Sequence, residues 1–182
     1  MPVTRIPVNV MMERVPLVSR WASEKWQPAA VVAVGPAVTP DREIEPGAPQ
    51  LMHDTDEGTQ WRFPRCTVEL HPSEAEGYYL NLTAPQPRVF VMWRFFDDVE
   101  PPIARPVVVT VSYNQAARMM DGGEQVDSVA LPLPLHAMLV PYVEEHYRPE
   151  PKRKVKRNDP FAADEGRDPR GGPNPARKPR ES

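Results

Sequence analysis

Asp121, Glu124 and Asp127 recur at three-residue spacing beside Gly122 and Gly123. Oxygen donors grouped this way suit a hard cation such as Mg²⁺ or Ca²⁺. A glycine pair after a helical run is also what a helix C-terminus requires, because glycine enters left-handed backbone conformations without steric cost. Backbone needs explain the pattern in full, so metal or ligand binding by these three is the alternative reading and no cofactor is expected. The run His53 to Gly58 opens like a Ca²⁺-binding loop but fails on register. Counted from Asp54, the glycine position holds Thr59 and the closing glutamate position holds Arg65. Cys66 and His71 suggest a nucleophile and its base. Cys66 sits among apolar neighbours with nothing local to lower its pKa, so an inert thiol is expected. The four histidines show no metal-ligand spacing. No nucleophile elbow, phosphate-binding loop or dinucleotide fingerprint occurs, and no catalytic residue is assigned.

Residues suited to binding stand out more clearly. The chain has four tryptophans, Trp21, Trp26, Trp61 and Trp93. Large aromatics mostly serve the core, but exposed tryptophan beside arginine is a common interface anchor. Trp93 with Arg94 is the first candidate for partner contact, and Trp21 with Trp26 the second. Lys152, Arg153, Lys154, Lys156 and Arg157 form a basic cluster that could dock on an acidic protein surface. Nucleic acid is the further alternative partner for that cluster and would make binding strongly salt-dependent.

The charge distribution limits these options. Residues 149–182 carry ten Lys/Arg and six Asp/Glu, net +4, whereas residues 1–148 carry twelve and nineteen, net −7. An acidic body disfavours a globular nucleic-acid binder, which presents its basic face on the fold. A single basic cluster without an apolar face or acyl chain disfavours membrane anchoring. One cysteine allows no intramolecular disulfide. No basic segment followed by an apolar run opens the chain, and no apolar stretch approaches the roughly 18 residues that span a bilayer. A cytoplasmic protein is expected.

These residues must be held by elements that tolerate 25 prolines, a composition hostile to long helices. Residues 5–14 alternate apolar and polar and predict a half-buried strand, with Pro7 marking an edge. Helical spacing of Trp21, Lys25 and Trp26 predicts a helix over 19–27, ended by Pro28. Strands are expected at 29–34, 60–70, 78–82, 88–96, 106–113 and 125–131. A one-residue change of phase at Pro64-Arg65 predicts a bulge in the 60–70 strand. Residues 37–59 lack any period and carry six carboxylates, which reads as a long acidic loop. Short helices are expected at 114–120 and 133–147, the latter containing Pro141. The fold class is α+β, a mainly antiparallel twisted sheet or small partly closed barrel of about 6–7 strands with two or three short helices. One domain would occupy residues 1–148. Residues 149–182 are too poor in apolar side chains to offset ordering entropy of about 1–2 kcal/mol per residue and are expected to be a disordered tail.

Two stretches carry a family resemblance. Ile6 to Arg14 running on to Ser19-Arg20-Trp21 and Trp26 is the first. Val109 to Ala117 with Asp121 to Asp127, closing on His146 to Pro149, is the second. Over roughly residues 4–150 the chain resembles a small bacterial family classed as a domain of unknown function. Genes of that family tend to neighbour those of molybdenum-dependent formate dehydrogenases. The resemblance implies an accessory or maturation role near a formate-oxidising respiratory enzyme, and it carries no catalytic residues. The expectation is therefore a non-enzymatic accessory or adaptor protein that binds another protein, such as a respiratory-enzyme subunit or maturation factor.

Overall fold

β1 (Thr4–Pro16) organises the sheet, and the computed structural model describes residues 2–37 and 43–151 around it. Its alternation places Ile6, Val8, Val10 and Met12 on one face, each at most 1% exposed. On its two sides it pairs antiparallel with β2 (Glu24–Ala33) and β4 (Gly58–Leu70). β3 (Gln50–Thr55) forms a hairpin with β4, and β5 (Arg88–Phe95) pairs with both β6 (Ala104–Thr110) and β7 (Val126–Ala130). The strand order is β2-β1-β4-β6-β5-β7, with β3 paired to β4. β4 and β6 run parallel, which makes the sheet mixed, and β2 approaches β7 so that it curls into a nearly closed barrel.

Three short helices complete the fold: α1 (Ala75–Leu82), α2 (Tyr113–Asp121) and α3 (Leu133–His146). Ser112 caps α2, its Oγ accepting from the Gln115 amide at 3.0 Å. From α3, Leu135, Leu139, Tyr142 and Val143 enter the core along one face. Tyr78 of α1 is fully buried against the end of β4, where its hydroxyl accepts from the His71 amide at 2.9 Å. Asn81 ties α1 to two strands, donating to the Arg88 and Val111 carbonyls and accepting from the Arg88 amide. The predicted bulge in β4 is present. Arg65 takes a φ of 57° at the register shift opposite Val8 and Val10, and its amide donates to Asn9 Oδ1 at 3.1 Å.

Four local expectations are corrected. No helix covers 19–27: Leu17 to Ser23 is a hairpin tip closed by Leu17 N–H donating to Ser23 O, and Trp26 lies in β2. Pro28 is tolerated there because β2 is an outer strand with a register irregularity opposite Met11 and Met12. Residues 78–82 are helical, since Pro72 starts a short 3₁₀ turn that runs into α1. The 37–59 stretch is not all loop, because residues 50–55 are β3. Every β3 residue is exposed, so no face imposed an apolar period. Finally, β1 is central although it contains Pro7. The Pro7 carbonyl accepts from Val34 just beyond the end of β2, so the missing donor faces a place where pairing has run out.

Candidate functional site

The inward face that begins at Ile6 continues along β1 to Arg14, at the barrel end away from Tyr78 and Leu70. There four strands place Trp26, Arg14, Thr59 and Asp54 in one cross-strand row. The next row sets Trp61 opposite both Met12 and Leu51. Together with the β5–β6 connection, these residues other than the buried Met12 line a cleft of about 520 Å³, within the usual size range of ligand pockets. Trp26, Trp61 and Ile103 supply apolar walls, and Pro101 and Pro102 face them from the connection.

Two arginines mark the polar positions of the cleft. Arg14 Nη1 donates to Glu24 Oε2 at 3.1 Å and Nη2 donates to Thr59 Oγ1 at 2.7 Å. Thr59 Oγ1 in turn donates to Asp54 Oδ1 at 2.6 Å, so Arg14 is held by acidic and hydroxyl groups from three strands. Arg105 Nη1 lies 3.0 Å from Asp98 Oδ2, and its guanidinium carbon lies 5.8 Å from the centre of the Phe96 ring. Arg105 Nε is buried and has no acceptor among the described residues.

The residues singled out from sequence are dispersed. Trp93 is buried, its Nε1 donating to Asp127 Oδ2 at 2.8 Å, and its ring packs edge-on against Phe95. Arg94 is exposed and pairs with Glu124, its Nε donating at 3.0 Å. That hydrogen bond raises the Arg94 pKa and lowers that of Glu124. Asp121, Glu124 and Asp127 therefore do not converge: Glu124 serves Arg94 and Asp127 serves Trp93. Among the described residues, no group of three or more His, Cys, Asp or Glu is placed to hold a metal ion. Trp26 is buried beside the cleft, while Trp21 is 94% exposed on the hairpin tip with the fully exposed Val18. Lys152, Arg153, Lys154, Lys156 and Arg157 lie outside the described residues.

Cys66, Glu69 and His71 share the wall of a second recess of about 330 Å³ between β4 and β6. Burial pushes the Cys66 thiol up to about 11, and it donates to the Phe63 carbonyl at 3.5 Å. His71 Nε2 sits 3.3 Å from Glu69 Oε2. This environment holds the sulfur as a neutral thiol, the opposite of what a nucleophile needs.

Sequence reasoning missed Arg14, Asp54, Thr59, Trp61 and Arg105 as site residues. They come from positions 14 to 105, and only strand register makes them neighbours. The one local signal was the continuation of the β1 alternation from Met12 to Arg14, which set a charged residue on the core-facing side.

The sheet curls into a nearly closed barrel whose mouth is lined by aromatic and charged side chains. The chain belongs to the family described as Protein of unknown function (DUF3305), whose model matches residues 7–156. No curated protein and no solved structure matches it. Among the described residues no helix is long and apolar enough to cross a membrane.

Proposed function

We propose that the protein is a non-enzymatic adaptor that binds another protein through the β1–β2 hairpin tip. The observation that carries this reading is the tip itself, where Trp21 and Val18 stand almost fully exposed and Leu17 is 38% exposed. An apolar cluster on a projecting turn adds nothing to the core, whereas tryptophan at a contact centre is a frequent hot spot. The family resemblance supplies the partner class: a subunit or maturation factor of a molybdenum-dependent formate dehydrogenase, with the adaptor acting in assembly or regulation.

Affinity capture from the native host tests this, comparing the wild-type chain with Trp21→Ala/Val18→Ser. The wild type should recover a respiratory-enzyme subunit or maturation factor. The variant should bind it about 30-fold more weakly, as loss of a hot spot worth about 2 kcal/mol requires. Its melting temperature should be unchanged, because neither side chain is buried. Recovery of no such protein, or equal recovery by the variant, overturns the proposal.

A further inference from the structure

The mouth cleft continues into an adjoining recess of about 440 Å³, distinct from the one beside Cys66, that shares Arg14, Glu24 and Asp54 and extends to Asp56 on the β3–β4 turn. The result is a groove with an apolar end, at Trp26, Trp61 and Ile103, and an acidic end, at Glu24, Asp54 and Asp56. Its two cations are already engaged, Arg14 by Glu24 and Thr59 and Arg105 by Asp98. Asp56 and Glu100, by contrast, pair with no cation among the described residues. An anionic ligand would therefore meet an excess of carboxylates. A segment carrying Lys or Arg would instead be matched by them.

We infer that the groove takes an extended peptide segment of a partner protein, with an apolar anchor side chain between Trp26 and Trp61 and neighbouring Lys or Arg residues on Asp54 and Asp56. The inference deepens the adaptor reading and rests on it in taking the occupant to be a protein. Charge complementarity selects the basic flank, and the apolar walls of Trp26 and Trp61 select the anchor. The groove and the hairpin tip both involve β1 and β2, since Arg14, Glu24 and Trp26 lie in the strands that carry the tip.

The test uses the full chain and a fluorescein-labelled, C-terminally amidated peptide of three lysines followed by Gly-Ala-Leu-Pro-Phe, read by fluorescence anisotropy. Saturable binding is expected, weakening as salt rises. The same peptide with glutamates for lysines, or with serine for its leucine and phenylalanine, should bind about tenfold more weakly or worse. Asp56→Lys and Glu100→Lys, at exposed positions that cannot compromise the core, should each weaken binding about fivefold. Trp61→Ala should abolish it, and Trp61→Phe, which keeps an aromatic wall, should retain most of it. Trp21→Ala should leave peptide binding unchanged. Absence of saturable binding, equal binding of the glutamate peptide, or indifference to Asp56→Lys and Trp61→Ala overturns the inference. Concentration-dependent self-association abolished by Asp56→Lys also overturns it, in favour of a second copy as the occupant. Capture of the native partner through Trp21 while the peptide fails removes the groove proposal alone. Peptide binding without recovery of that partner removes the partner assignment alone.

Discussion

At the residue scale, Cys66 shows how position decides chemistry. Its thiol is raised from 9.0 to about 11, chiefly by partial burial within β4. A folded-state pKa above the unfolded value means that the native state holds the proton more tightly. The resulting stability is complete below pH 9 and is lost as pH rises through about 11. The shift corresponds to about 2–3 kcal/mol at most. Tyr142, raised to about 12 by burial, and Tyr78, also raised by burial, act in the same direction at higher pH. Urea midpoints measured across pH 8 to 11 should fall for the wild type and fall less steeply for Cys66→Ala. Parallel pH profiles would show that the thiol is not the titrating group. The same burial should make Cys66 react with a disulfide reagent far more slowly in the native than in the denatured protein.

At the element scale, the close approach of α1 to α2 depends on Gly77. A Cβ there would overlap Ser112 Oγ more closely than real Cβ atoms allow. Ser112 cannot yield, because it is fully buried and its Oγ also donates to Glu74 Oε2 at 2.7 Å. Helix propensity alone favours alanine over glycine by about 1 kcal/mol. The contact outweighs that preference, so Gly77→Ala should destabilise the protein by about 1–3 kcal/mol in chemical denaturation. A stabilising result would mean that the two helices can move apart. The neighbouring elements explain the mixed record of sequence patterns. β1 was legible because one face is buried throughout, and α3 because its apolar residues follow the helical period. The 78–82 segment misled because Tyr78 and Tyr79 favour strands, while burial of Tyr78 and the three Asn81 hydrogen bonds stabilise a helix.

At the scale of the whole molecule, one hydrophobic cluster links β1 to α3, with Ile6, Val68, Val91, Val111 and Leu139 among its members. Residues 1–149 form one compact unit. Such a unit should unfold cooperatively, with tryptophan fluorescence and far-ultraviolet circular dichroism giving the same urea midpoint. Separate midpoints would show that the β5–β7 half opens independently of β1–β4. The single parallel register pair, Val68 with Val109, is the seam at which that would begin.

The sequence by itself determined the α+β class, the buried face of β1, the helical span of α3, the bulge at Pro64-Arg65 and the helix end at Gly122-Gly123. Each follows from local periodicity or backbone chemistry, which neighbouring residues carry between them. Only the tertiary structure decided that Asp127 serves Trp93, that Glu124 serves Arg94, and that Trp21 rather than Trp93 faces outward. It alone assembled the mouth, because Trp26, Arg14, Thr59 and Asp54 become neighbours through the register of four strands. That register is set by which faces the whole barrel buries, and no short stretch of the chain contains it.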